Sequence, residues 1–121
     1  MRPLSPNHIQ TFLQRFENFS DAELRSMEVN SATSISVNMA VQDSARAFDW
    51  ITITLTFEGV SDAKLIDANK LSFVDMSAGI SILNEQNSFA FCVGSYKDKE
   101  SIKNATLFVI SDTLKYKESE F

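Results

Sequence analysis

Apolar residues near the start of the chain recur with the period of an α-helix. They occupy the i, i+3, i+4 and i+7 positions of one helical face, namely Ile9, Phe12, Leu13 and Phe16. Ser5 is a suitable N-cap and Pro6 a suitable first helical residue. The pattern predicts an amphipathic helix over about residues 6–18, with its apolar face packed against a sheet.

From residue 22 onward the period changes to two, which indicates half-buried β-strands. The clearest example is residues 51–57, where isoleucine, leucine and phenylalanine alternate with threonine. Residues 58–62 contain Gly59 and predict a turn or a bulge. Residues 105–110 are apolar on both faces, so this strand is predicted to lie centrally in the sheet. Further candidate strands are residues 22–29, 34–42, 64–66, 71–74, 80–83 and 89–94.

One helix followed by about seven or eight short strands predicts an α+β fold that is mainly β. Because no helices separate the strands, we expect a curved antiparallel meander or a two-layer sandwich. The length of 121 residues predicts a single domain over residues 1–121. Within it the β region should cover about residues 22–116, and residues 117–121 should form a frayed tail.

The charge of the chain is concentrated in its middle. The formal net charge is −5, and residues 48–96 hold two lysines against six acidic residues. This sign disfavours binding to nucleic acid phosphates. Two interpretations remain open for the acidic segment, namely solubility and attraction to a basic partner.

The residue types that carry most catalysis are scarce. The single histidine, His8, falls in the first helical turn, and the single cysteine, Cys92, falls in an apolar strand. No calcium-loop pattern, glycine-rich phosphate loop or cysteine cluster is present. We therefore predict a protein that is not an enzyme, with no catalytic residues, no metal and no cofactor.

The sequence also gives an expectation for location. One cysteine cannot form an internal disulfide, and there is no run of 18 apolar residues that could cross a membrane. The first residues are polar and contain two prolines, unlike a signal peptide. We expect a cytoplasmic protein that is not associated with membranes.

Three fragments together resemble a group of small bacterial β-rich domains associated with the immunity-type proteins of polymorphic toxin systems. They are residues 19–24 (FSDAEL), 55–60 (LTFEGV) and 71–80 (LSFVDMSAGI). In that group the first fragment often carries a histidine before Asp-Ala, where this chain has Ser20. The resemblance implies a β-rich fold and, as a function, neutralisation of a toxin domain. It implies no catalytic residues.

The leading hypothesis is a non-catalytic protein-binding module whose partner is a basic protein. Trp50 lies on the threonine side of its strand, and tryptophan is enriched among the residues that dominate binding energy. The alternative for Trp50 is a covered position at the sheet edge. Acidic residues would steer a basic partner and form ion pairs with it. The predicted binding residues are Asp49, Trp50, Asp62, Asp67 and Asp75.

Two other functions remain as alternatives. The first is a small-ligand-binding protein or minor enzyme with a pocket in the curved sheet, which would be lined by Phe89, Phe91 and Phe108. The second is a structural subunit that associates through an exposed apolar patch. The oligomeric state expected from the sequence is a monomer or a homodimer.

Overall fold

The computed structural model describes residues 1–121 and has an α+β architecture that is mainly β, as the sequence predicts. Seven antiparallel strands form one open sheet. The strands are β1 (Arg2–Pro3), β2 (Glu23–Ser31), β3 (Ser34–Asp43), β4 (Asp49–Lys64), β5 (Ile80–Glu85), β6 (Ser88–Val93) and β7 (Phe108–Glu120). The helices are α1 (Ile9–Arg15) and α2 (Lys99–Ile102). Short 3₁₀ turns are Pro6–His8, Glu17–Phe19, Ser44–Arg46 and Ala68–Phe73.

Two three-stranded meanders share one long central pairing. The strand order is β2-β3-β4-β7-β6-β5, with β1 added beside β7. The pairing of β4 with β7 extends from Ile51 opposite Glu120 to Lys64 opposite Phe108. The first half of β4 also pairs with β3, whereas the first half of β7 also pairs with β6. Each meander therefore occupies one half of the β4–β7 ribbon.

The predicted turn at residues 58–62 is a bulge inside one strand of 16 residues. Gly59 has φ of +70°, and the register against β7 shifts between Val60 and Asp62. A bulge of this kind bends the strand and increases its twist. The chain therefore passes from one half of the sheet to the other without leaving β4.

The apolar sides of the strands and the helix α1 enclose a core cluster of 26 buried residues. The four apolar residues of the 51–57 alternation are at most 3% exposed. Phe12, Phe16 and Phe19 hold the N-terminal segment against the sheet, with ring centroids 5.2–5.8 Å apart. The amphipathic helix was correctly predicted, although α1 ends at Arg15.

The first part of β7 is buried on both faces, as predicted for a central strand. The side chain of Val109 packs in the main core. Phe108 and Ile110 point to a second cluster of six residues, which lies under α2 and includes Cys92. The Cys92 side chain is fully buried, and this burial raises its pKa to about 11. A neutral thiol of this kind acts as a small apolar side chain.

Several local expectations were wrong. Lys64 ends β4 and residues 65–66 are not in a strand, and residues 105–107 precede β7. Residues 71–73 belong to the 3₁₀ turn Ala68–Phe73 and Val74 directly follows it, so no strand forms there. Residues 117–121 are not frayed, because β7 continues in register with β4 up to Glu120. The side chain of Glu118 also forms ion pairs with Arg15 and Arg46. These contacts join distant segments, so the charged tail by itself does not predict them.

A cluster of four charged side chains connects α1 to the ends of β3 and β7. The Arg15 guanidinium donates to both oxygens of Asp43, at 2.9 and 2.6 Å, and to both oxygens of Glu118, at 3.1 and 2.7 Å. Arg46 lies 3.3 Å from each of these two carboxylates. The Asp43 side chain is fully buried. Arg15 therefore neutralises a charge that water cannot reach.

We predict that Arg15→Met lowers the free energy of unfolding by about 3 kcal/mol, because it leaves a buried carboxylate without its main partner. Urea denaturation followed by circular dichroism would measure the change. The matched control is Lys70→Met, which removes an exposed ammonium 4.0 Å from Asp67 and should cost no more than about 0.5 kcal/mol. Equal costs for the two variants would show that the cluster contributes no special stability.

The same cluster predicts how stability depends on pH. Arg15 holds the pKa values of Asp43 and Glu118 below their ordinary range. The unfolded chain then binds more protons in acid, so stability should decrease as pH falls from about 5 to about 2. Asp75 and Asp98 also have lowered pKa values. Urea denaturation of wild type and Arg15→Met across this range isolates the cluster, because the decrease should be smaller in the variant.

Candidate functional site

The outer face of the sheet carries the threonines of β4 and is polar, as the alternation predicts. Its side chains bond to one another across the strands. Thr54 Oγ1 donates to Asn38 Oδ1 at 2.6 Å, and Asn38 Nδ2 donates to Ser26 Oγ at 2.7 Å. The hydroxyl groups of Ser36 and Thr56 lie 3.1 Å apart. These hydroxyl and amide groups therefore satisfy one another across the strands.

At one end of this face, Trp50 contacts the last residue of the chain. The ring centroids of Trp50 and Phe121 are 5.9 Å apart, and the Arg25 guanidinium lies 4.6 Å from the centre of the Phe121 ring. Trp50 is 40% exposed and Phe121 is 62% exposed. Arg25 also bonds to Glu23 at 3.1 Å. The cation and the two rings thus form a partly exposed stack.

Beside the stack lies a groove of about 480 Å³ between the start of β2 and the Ala68–Phe73 turn, which we call the β2 groove. It is lined by Asp21, Ala22, Glu23, Leu24, Arg25, Leu71, Ser72, Val74 and Met76. Arg25 belongs both to this groove and to the aromatic stack. A smaller crevice contains Trp50 together with Asp21 and Ala22. The stack and the groove therefore form one continuous surface.

Phe73 stands at the edge of this surface. Its neighbours Ser72 and Val74 line the β2 groove, while Phe73 itself is 82% exposed. The molecule has six exposed large hydrophobic residues. We call four of them, Phe48, Trp50, Phe73 and Phe121, the exposed aromatic group. Such side chains are candidates for the anchors of an interface.

A strained backbone segment fixes the start of β2 and with it the wall of the groove. Glu17, Asn18 and Phe19 have φ of +52°, +57° and +61°, a left-handed turn that costs free energy in L-residues. The turn is held by residues 76–79, since the Asp21 amide donates to the Met76 carbonyl at 2.9 Å. The fully buried Phe19 ring anchors the same turn in the core.

Gly79 makes this contact possible. Its φ is +73°, and a Cβ atom there would overlap the backbone carbonyl of Asn18. Residues 19–24 and 71–80, two of the three fragments behind the family resemblance, therefore touch each other. The third fragment contains the Gly59 bulge. The distinctive feature of all three fragments is their backbone geometry rather than a reactive side chain.

The predicted binding residues do not gather into one patch. Asp49 and Trp50 lie at the aromatic end, and Asp67 and Asp75 flank the turn that bears Phe73. Asp67 faces Lys70 at 4.0 Å. Asp75 accepts a hydrogen bond from the Ser77 amide, which lowers the pKa of Asp75.

Asp62 lies apart from the other predicted residues. It is on β4 beyond the Gly59 bulge, opposite Ile110. It is separated from Asp49 by roughly 40 Å along the strand.

Sequence reasoning missed several residues of this surface. Phe73 was predicted to lie in a strand, and Phe121 was predicted to lie in a frayed tail. Arg25 stands at the register shift between Leu24 and Ser26, which turns it onto the outer face. The broken alternation in β2 was the one available signal.

The three phenylalanines expected to line an internal ligand pocket are packed in the two hydrophobic clusters. Phe89, Phe91 and Phe108 are buried, and Phe91 packs against Phe57 with ring centroids 5.2 Å apart. None of the three lines any of the five main surface grooves. His8 is exposed and bonds to Ser5 at 2.6 Å.

Two other features bear on the class of site. No three histidine, cysteine or acidic side chains come together in an arrangement that could hold a metal ion. None of the helices has the length and apolar character needed to cross a bilayer.

Comparison with protein-family models, with curated proteins and with solved structures gave no match to this chain. The resemblance to immunity-type domains therefore depends on the three sequence fragments alone.

We predict that Gly79→Ala destabilises the protein by more than about 2 kcal/mol, because φ is positive and the new methyl group meets backbone that cannot move freely. Gly59→Ala is the comparison, since Gly59 has nearly the same φ but its Cβ would meet side-chain atoms of Asp112, at 2.5–2.9 Å, rather than backbone. Urea denaturation would compare them. A smaller loss for Gly79→Ala than for Gly59→Ala would contradict the role of the contact between Asn18 and Gly79.

Proposed function

We propose that this chain is a cytoplasmic, non-catalytic protein-binding module whose partner is a basic protein. The observation that carries the proposal is the continuous surface formed by Trp50, Phe121, Arg25 and the β2 groove. It combines exposed aromatic rings, an arginine and a concave apolar floor. Aromatic residues and arginine are enriched among binding hot spots, and anchors commonly fill pockets.

The charges around this surface support a basic partner. Asp21 and Glu23 line the groove, Asp49 and Asp75 are chain neighbours of Trp50 and of the groove residues Val74 and Met76, and Asp67 precedes the 3₁₀ turn that carries Leu71 and Ser72. The nearby cations Arg25 and Lys70 already face acidic partners, Glu23 and Asp67. Unpaired carboxylates would steer a positively charged protein during encounter and would repel acidic competitors.

The resemblance to immunity-type domains suggests a more specific partner, a bacterial toxin domain, and the acidic charge of this chain suits a toxin domain that acts on nucleic acid. An enzyme of that kind presents cations to phosphates, and carboxylates of an inhibitor can occupy the same positions. This part of the proposal rests on the three sequence fragments. A toxin gene directly upstream of the gene for this chain would support it.

The alternative, a ligand carrier or enzyme with an internal pocket, has no specific observation in its favour. Phe89 and Phe91 belong to the main core and Phe108 to the second cluster under α2, so these three side chains do not line a common cavity. The exposed aromatic group could instead join two copies of the chain, which sedimentation at several protein concentrations would reveal.

We predict that Trp50→Ala weakens partner binding at least 30-fold, a loss of about 2 kcal/mol that is typical of a central anchor. Wild-type protein would be used to isolate its partner from cell extracts, and the affinities of purified variants would follow by calorimetry. Val29→Ala is the control, because Val29 is 63% exposed on β2 but outside this surface. Val29→Ala should bind like wild type.

Charge reversal tests the acidic part of the same surface. Asp67→Lys and Asp75→Lys should slow association, and the effect should shrink at high salt because these carboxylates are exposed. Asp62→Lys, at the far end of β4, should have a smaller effect. The absence of any protein partner, or full binding by Trp50→Ala, Asp67→Lys and Asp75→Lys, would overturn the proposal.

A further inference from the structure

The β2 groove contains one carboxylate that has no partner within the chain. The Asp21 side chain makes no hydrogen bond and no ion pair, although its backbone amide bonds to Met76. Glu23, the other acid of the groove, bonds to Arg25. With two carboxylates and one guanidinium among its lining residues, the groove keeps an excess of one negative charge.

Beneath these charges the groove is apolar. Ala22, Leu24, Leu71 and Met76 are 4–8% exposed, and Val74 is partly buried against the core. An apolar surface that ends at a free carboxylate suits one class of side chain. Lysine and arginine lay their methylene stems on apolar surface while the charged head stays in contact with polar groups.

The chain itself shows how a guanidinium binds beside this groove. Arg25 places its head between Glu23, at 3.1 Å, and the face of the Phe121 ring, at 4.6 Å. These two contacts hold Arg25 at the edge of the groove. They leave Asp21 open for a second cation that approaches from outside.

We propose that the β2 groove binds an arginine side chain of the partner protein. The methylene stem lies across Leu24, Leu71 and Met76, and the guanidinium pairs with the Asp21 carboxylate. Arginine is favoured over lysine because its planar fork can donate two parallel hydrogen bonds to one carboxylate and is more weakly hydrated. This inference rests on the proposed function, since it names the group by which the basic partner is recognised.

The test uses the full chain labelled with ¹⁵N and N-acetyl-arginine amide as the probe. Saturable shifts should appear at the amides of Ala22, Leu24 and Met76, with a Kd on the order of 1 mM, as expected for a ligand of this size. N-acetyl-citrulline amide has nearly the same shape without the charge, and it should bind at least tenfold more weakly. N-acetyl-lysine amide should bind several-fold more weakly.

Asp21→Asn removes the charge and should leave the fold intact, since asparagine tolerates the φ of +60° at this position. It should reduce the affinity for the arginine probe about tenfold. Glu28→Gln is the matched control, because Glu28 is an exposed acid farther along β2 that does not line the groove. It should leave the affinity unchanged.

Equal binding of the citrulline probe, equal binding of the lysine probe, or equal affinity in Asp21→Asn would each overturn the inference. The outcome is separable from that of the proposed function. If the arginine probe binds but no partner protein exists, the affinity of the groove for arginine is confirmed, whereas the protein-binding function fails. If a partner binds through Trp50 while the probe does not bind, the function stands and the groove inference fails.

Discussion

The antiparallel pairing of β4 with β7 is the interaction to which the remaining strands are attached. It runs from Ile51 opposite Glu120 to Lys64 opposite Phe108, which makes it longer than the β3–β4 pairing and the β6–β7 pairing on its two sides. One ribbon can serve both meanders only if it bends between them. Gly59 provides that bend at a positive φ, so the register shift beside it determines how the two halves face each other around the core.

The N-terminal segment covers this bent sheet and is fastened at two places of different chemistry. Arg15 joins it to the ends of β3 and β7 through the buried Asp43 and the partly buried Glu118. A few residues later, the left-handed turn at Glu17–Phe19 is held against Gly79 by backbone contacts. A turn with this backbone strain is stable only when several surrounding contacts hold it in place. The position of β2, and so of the groove, depends on both attachments.

The sequence predicted those features that follow from local periodicity. The helix with Phe12 and Phe16, the strand from Ile51 to Phe57 and the central place of Phe108–Ile110 all follow from which residues must be buried. The order of the strands could not be predicted, because the pairing of β4 with β7 joins segments that are far apart in the chain. The stability of the C-terminal residues was missed for the same reason.

The candidate site was predicted only in part, and the reason is physical. Trp50 was identified because alternation places it on the outer face, and Asp67 and Asp75 because charge is visible in the sequence. The groove arises from contacts between Asp21 and Met76, which are distant in the chain. Phe73 lies in a 3₁₀ turn rather than in the predicted strand, and its side chain is exposed.

The two parts of the outer face differ in what they can contribute to binding. Hydroxyl and amide groups along β3 and β4 already bond to one another, so a partner would gain little from contact with them. The exposed aromatic group and the β2 groove are not satisfied in this way, since water covers their apolar surface and the Asp21 carboxylate. Binding energy should therefore be concentrated at the aromatic end, with the threonine face as a hydrated margin.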